Sequence, residues 1–298
     1  MLFRSGAGVP GLYLDRYGPA VVCSVYDDAR LSDQQVSAVA AAVLEELAAL
    51  GVDSVYVKPF ARDRSRLGGQ APPETRAASP RAGRPQPETI LVHEYASRYE
   101  VRLYDGFSTG LFLDHRDHRR ALAASAPARA LNLFAYTCAF AVPLAAAGGH
   151  VTNVDVSNRY LDWGRRNLAH NQLPADRVRY YRMDAMEFLA WASRRADERF
   201  DLVILDPPTF AAGDARRGRK PWKVTSDYPA LVQAAARVLA PGGRIFAASN
   251  ARELALPGAL EQAVERALGK TPAWLSLPPW PIDVRERGRV AAVLFSPR

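Results

Sequence analysis

The chain has 298 residues, 48% of them apolar, which is enough for one large α/β domain or for a domain with a smaller companion. Its two cysteines, Cys23 and Cys138, are far apart in apolar surroundings, which argues against a disulfide framework or a zinc site and fits a reducing cytoplasm. Neither a signal-peptide core nor a membrane-length apolar run is present, so no membrane partner is expected; the net charge of +8 favours a polyanion such as nucleic acid, although arginine spread along the chain accounts for that charge equally well.

Taken in order, residues 11–26 read as a hairpin turning at Gly18-Pro19. Ser32 with Gln35 forms a capping box that opens a helix with Val36, Val39, Ala40, Val43, Leu44 and Leu47 on one face. A short strand at 53–57 follows. Residues 59–88 alternate arginine and proline with little apolar content and read as a loop, either solvated or a basic arm for phosphates. Residues 89–103 form a second hairpin, so that 1–107 makes a small α+β domain. After Thr109–Arg120 and an alanine-rich helix, strands and helices alternate to the end of the 108–298 domain. Strands are expected at 131–135, 150–154, 178–183, 202–205, 244–248, 273–277 and 290–295, with helices around 139–147, 158–170, 185–195, 226–239 and 257–268. This pattern predicts an α/β, doubly wound, mostly parallel Rossmann-like sheet whose last strand is antiparallel.

The chemistry concentrates at strand ends. The apolar run 200–205 stops at Asp206-Pro207-Pro208, where two prolines end the ladder and leave a stiff corner carrying a carboxylate. The turn Asn132-Leu133-Phe134-Ala135-Tyr136-Thr137 leads into small residues that let backbone approach a ligand. Asp155 closes the next strand and can accept both hydroxyls of a ribose. Asp184 closes the one after and can accept from an adenine amino group. A strand-end aspartate alone often only caps the next helix, but three at consecutive strand ends are hard to dismiss. There is no G-x-G-x-x-G after the first strand of this alternation and no P-loop, so a cofactor with ribose and adenine but no phosphate fits best: S-adenosyl-L-methionine. The five histidines lack metal-ligand spacing, and no metal is expected.

These stretches resemble the large-subunit ribosomal RNA methyltransferases of the RlmI and RlmKL groups. The match rests on 109–117, 131–137, Val154-Asp155-Val156-Ser157 with 160–163, Arg166-Asn167, and 200–210. Residues 11–18 also look like the opening of the RlmI-type central domain, and the RNA-binding PUA domain that usually precedes it would be lacking. The resemblance implies a class I methyltransferase fold. It implies that Asp155, Val156 and Ser157 lie at the ribose, Asp184 and Ala185 at the adenine, and Asn132, Phe134, Tyr136 and Thr137 on the methionine side. Asp114 and Arg116 would lie over the cofactor, Arg116 as a partner for its carboxylate, and Asp206-Pro207-Pro208 would face both the methyl and the acceptor.

Two departures matter. Cys138 stands where a glycine is expected, and Phe246–Arg252 has no cysteine where carbon-5 enzymes keep their nucleophile. Carbon-5 of cytosine needs a thiolate, whereas a ring nitrogen already has a lone pair, so Ser249-Asn250 favours methylation at nitrogen. Thr209 and Phe210, with Arg216, Arg217, Arg219, Lys220 and Lys223, form the expected RNA-contacting segment, Trp222 of the basic stretch 216–223 being available to stack on a base. The expected activity is methylation of a base in ribosomal RNA. A methyltransferase for a protein or small molecule, and a non-catalytic RNA-binding assembly factor, are the alternatives; the chain could be monomeric or a homodimer.

Overall fold

The computed structural model describes residues 2–6, 9–61, 72–211, 213, 221–284 and 290–297. The chain divides into two compact units, Met1–Arg116 with Trp280–Arg285, and Asp117–Pro279 with Glu286–Arg298.

The first unit is built on a five-stranded sheet, β1 (Leu2–Gly6), β2 (Leu12–Tyr17), β3 (Ala20–Tyr26), β4 (Ser54–Phe60) and β5 (Ala82–Gly83), in that order. Only β3 and β4 are parallel, because helix α1 (Asp33–Leu47) carries the crossover between them. The Ser32–Gln35 capping box forms as the sequence predicts. Leu12, Val21, Cys23, Ala40, Val52 and Val55 make the core under the helix. The second hairpin is β6 (Ile90–Glu94) with β7 (Ser97–Val101).

The loop expected at 59–88 is ordered over much of its described part. It supplies β5, and Arg81 and Arg84 pair with Asp33 and Asp53 instead of reaching out as a basic arm. Arg62, Arg64 and Arg66 lie outside the described residues. Lys58 is buried, its Nζ donating to the Gly106 carbonyl at 2.7 Å; burial draws its pKa down to about 8, against the nearby Asp105 and Asp15.

The second unit carries β8 (Arg129–Leu133), β9 (His150–Asp155), β10 (Val178–Arg182), β11 (Phe200–Leu205), β14 (Leu239–Ser249), β15 (Ala273–Leu275) and β16 (Ala291–Ser296). Their order is β10-β9-β8-β11-β14-β16-β15. The first five are parallel and β16 is antiparallel to its neighbours. Helices α2 (Arg116–Ala124), α3 (Ala141–Ala146), α4 (Asn158–His170), α5 (Ala185–Ser193), α6 (Val224–Ala236) and α7 (Ala259–Leu268) complete the layers. One core, including Leu131, Val154, Phe188, Val203, Tyr228 and Val264, runs under the sheet. The alternation read in the sequence is therefore the sheet observed. β14 starts earlier than the apolar run suggested, because Gly243 lets it approach β11 closely: a Cβ there would meet the Phe200 and Ala240 carbonyls at 2.9 Å. Among the described residues no helix is long and apolar enough to cross a membrane.

Candidate functional site

Strands run outward from β8 in both directions, β9 and β10 to one side, β11 and β14 to the other. Such a reversal opens a crevice at the carboxyl ends of the parallel strands, where ligands of α/β sheets bind. Asp155 ends β9, Asp184 lies two residues past β10 and Asp206 directly follows β11, so the fold places the three predicted carboxylates at successive strand ends.

The Asp155 carboxylate is built into the backbone. Oδ2 accepts from the Tyr136 amide and Oδ1 from the Ser157 amide, both at 2.9 Å, which ties the turn after β8 to the start of α4. Each carboxylate oxygen can accept a second donor, such as a ribose hydroxyl. Val156 beside it is 40% exposed, unusual for an apolar residue in this unit. Ser157 caps α4, accepting from the Tyr160 amide. Asp184 caps α5: its Oδ1 accepts from the Met186 and Glu187 amides, leaving Oδ2 for a further donor, and Ala185 packs into the core.

The turn after β8 is tightly held. Phe134, Tyr136 and Cys138 have φ of +55°, +48° and +58°, left-handed values that non-glycine residues rarely adopt. Such backbone persists where surrounding contacts over-determine it. Those contacts are the Asp155–Tyr136 bond, the Asn167 amide donating to the Thr137 carbonyl at 2.9 Å, and Tyr136 edge-on to Tyr160 at 4.5 Å. Asn132 is buried and donates to Asn153 Oδ1 of β9 at 2.8 Å. Cys138 replaces the expected glycine without loosening the turn. Its side chain is fully buried against Gly164 of α4, where any Cβ would come within 2.3 Å of Sγ. Burial, with Asp155 nearby, pushes the Cys138 thiol far up, and burial pushes the Cys23 thiol up to about 12. Neither is a thiolate nucleophile.

The corner after β11 is organised differently. Asp206 is half-buried and Pro207 buried, while Pro208, Thr209 and Phe210 are exposed, Phe210 by 64%. Tyr228 of α6 is buried nearby and donates to the Ala248 carbonyl at 3.0 Å; burial, then the charge of Asp206, holds its hydroxyl well above its ordinary pKa. The Thr209 hydroxyl donates to Asn250 Oδ1 at 2.7 Å, joining the corner to the segment after β14. Phe210-Ala211 (β12) then pairs with Trp222-Lys223 (β13) as a short antiparallel ribbon. The Trp222 indole donates to the Pro208 carbonyl at 2.8 Å and lies 5.7 Å from the Phe134 ring. Trp222, the aromatic of the basic segment, thus packs against the corner and the turn after β8. Sequence reading missed its role, and that of Tyr228, because neither contact has a local pattern. Lys223 is exposed at the start of α6, while Arg216, Arg217, Arg219 and Lys220 lie outside the described residues.

Asp114 and Arg116 belong to the first unit. Asp114 is buried and accepts from the His115 amide at 3.0 Å. Arg116 makes a two-pronged pair with Asp283, Nη1 to Oδ2 at 2.7 Å. Among the described residues no cluster of histidine, cysteine, aspartate or glutamate could hold a metal.

The crevice fits a nucleoside cofactor without phosphates: acceptors wait at the strand ends, and no glycine cradle of the dinucleotide type follows β8. Comparisons with known proteins agree. Residues 73–295 match a family described as S-adenosylmethionine-dependent methyltransferase. A ribosomal RNA large subunit methyltransferase K/L of Dichelobacter nodosus is 36% identical over 253 residues, 83% of this chain and 32% of that protein. The corresponding protein of Pseudoalteromonas translucida is 37% identical over 169 residues, 56% of this chain and 23% of its own length. The chain thus spans at most about a third of these relatives (32% and 23%). A protein described as a methyltransferase and crystallised with SAH superposes with a TM-score of 0.79 at 27% identity, over 99% of this chain and 74% of that one.

Proposed function

We propose a substrate and a chemistry for a chain that belongs to the S-adenosylmethionine-dependent methyltransferase family. It methylates a base of ribosomal RNA at a nitrogen. When bound, S-adenosylmethionine supplies a methyl group on a positively charged sulfur. Asp155, Val156 and Ser157 hold the ribose, Asp184 and Ala185 the adenine, and the turn Asn132–Thr137 the methionine end.

The observation that carries the choice of nitrogen is the chemistry around Asp206. The segment after β14 offers Asn250, hydrogen-bonded to Thr209, and both cysteines of the chain are buried with raised thiol pKa values. Carbon-5 chemistry needs a thiolate to make the ring nucleophilic. A ring nitrogen needs only alignment of its lone pair with the carbon–sulfur bond. In that displacement the nitrogen–carbon bond forms as the carbon–sulfur bond breaks, and the positive charge moves from sulfur to the base. In this reading the Asp206 carboxylate offsets that charge. If the acceptor is an amino nitrogen, one proton leaves it, and Asp206 is the base that receives it.

RNA is the proposed substrate class because the relatives named above are ribosomal RNA methyltransferases and the chain carries a +8 charge. Mass mapping of modified nucleotides in ribosomal RNA from cells lacking the protein, paired with methylation of that RNA by the purified chain, tests the reading. A single methylated base should disappear, be restored in vitro, and carry the methyl on nitrogen. No missing methyl group, or a methyl on carbon-5, overturns it.

A further inference from the structure

We infer that Trp222 is a positioning residue that locks the acceptor corner and couples it to the cofactor turn. This rests on the reading of Asp206-Pro207-Pro208 as the place where the acceptor base is oriented.

Three contacts meet at one indole. Its Nε1–H donates to the Pro208 carbonyl at 2.8 Å, across 14 residues of chain. Its ring packs on Phe134, the first left-handed residue of the turn after β8. Its backbone pairs with Ala211 in the β12–β13 ribbon, and the next residue but one, Val224, donates its amide to the Thr209 carbonyl at 3.1 Å. The loop leaving Asp206 is thereby tied down at Pro208, Thr209 and Ala211.

The consequence is chemical. Proline donates nothing, so the corner can only present acceptors: the Asp206 carboxylate and the carbonyls of Pro207 and Pro208. Trp222 fills one of the two acceptor positions of the Pro208 carbonyl and so fixes where that carbonyl points. Among the described residues none donates to the Pro207 carbonyl. Trp222 therefore fixes the direction in which this corner presents its acceptors, and with it the way the base is met. Alignment of a reacting nitrogen is sensitive to small displacements, so a side chain touching neither reactant governs the rate through the corner it holds. The contact with Phe134 makes the same indole responsive to what occupies the cofactor turn.

Trp222 is half-buried and Pro208 is exposed, so removing the indole N–H leaves a carbonyl that water can satisfy. Trp222→Phe should fold normally and keep its packing on Phe134. The test uses the full chain labelled with 15N-tryptophan, the Trp222 indole signal being the one lost in Trp222→Phe. That proton should exchange with water at least ten-fold more slowly than the indole of Trp274, which is 37% exposed, and should shift on titration with S-adenosylmethionine. In single-turnover methylation of ribosomal RNA, Trp222→Phe should lower the rate of transfer about ten-fold, with S-adenosylmethionine affinity within two-fold of the parent by calorimetry. An indole proton that exchanges as fast as that of Trp274, or a Trp222→Phe transfer rate within two-fold of the parent, overturns the inference. If the parent transfers no methyl to RNA, the functional reading fails while the indole signal still decides the role of Trp222.

Discussion

The two halves of the crevice are held by different means. On the side proposed for the cofactor, carboxylates fasten backbone amides: Asp155 holds those of Tyr136 and Ser157, and Asp184 that of Met186. On the acceptor side, the corner is fastened by side chains from far along the chain, Trp222 to Pro208 and Thr209 to Asn250, the latter pair 41 residues apart. A site for a constant ligand can be written into strand ends, where sheet geometry repeats. A site that must suit one acceptor is written into loops, where long-range bonds set each position separately.

If the comparison is right, the cofactor half should fail all at once when its carboxylate is removed. Asp155→Ala leaves the amides of Tyr136 and Ser157 without their acceptor and removes the proposed ribose contact. Unsatisfied groups cost about 1–3 kcal/mol each, so affinity for S-adenosylmethionine should fall at least about 100-fold, measured by calorimetry. Asp155→Asn, which keeps one acceptor oxygen, should lose less. Equal losses in both variants would mean that charge alone matters.

The acceptor half should fail differently, in rate before affinity. Asp206→Ala should lower kcat about 100-fold, the usual loss when a group stabilising developing charge is removed. S-adenosylmethionine affinity should change far less than in Asp155→Ala. A kcat that survives Asp206→Ala would remove the proposed mechanism and leave the corner a structural turn.

Between these lies a test of the strained cofactor turn. Gly164→Ala would place Cβ 2.3 Å from Cys138 Sγ and 2.8 Å from its Cβ. Overpacking of this kind costs about 2 kcal/mol, read by urea unfolding. Adding Cys138→Gly removes both obstacles, and the next atom, the Thr137 carbonyl oxygen, would stand at an ordinary 3.4 Å. The double variant should recover most of the loss. A double variant as unstable as Gly164→Ala would show that the turn, rather than the thiol, fills that space.

The legibility of the chain follows the same division. The doubly wound sheet could be read because short strand runs alternate with helical patterns, and Asp155, Asp184 and Asp206 stood at three of the boundaries. Of the loop read at 59–88, residues 62–71 lie outside the described residues; arginine and proline suggested solvent, whereas Arg81 and Arg84 pair with acids of the same unit. Trp222 could not be assigned from its neighbours, since a basic stretch with one aromatic suggests stacking on a base. Its real partners, Pro208 and Phe134, are distant in sequence and meet only once β11, the turn after β8 and the β12–β13 ribbon are folded.

The smallest expected effect tests whether the acceptor half is assembled from separate bonds. Thr209 and Asn250 are both exposed, so their bond competes with water and should contribute about 0.5–1 kcal/mol. Thr209→Val keeps the shape of the side chain and removes the hydroxyl, and Asn250→Ala removes the acceptor. Each should slow methyl transfer about two- to five-fold, with stability and S-adenosylmethionine affinity unchanged. Because the two residues share one bond, the double variant should be no slower than the worse single one. Paired with Trp222→Phe, by contrast, Thr209→Val should act nearly additively, since Trp222 grips Pro208 and Thr209 grips the segment after β14. Additivity between Thr209→Val and Asn250→Ala would mean that each meets the substrate on its own. The corner would then be a contact surface for the acceptor rather than a frame that positions it.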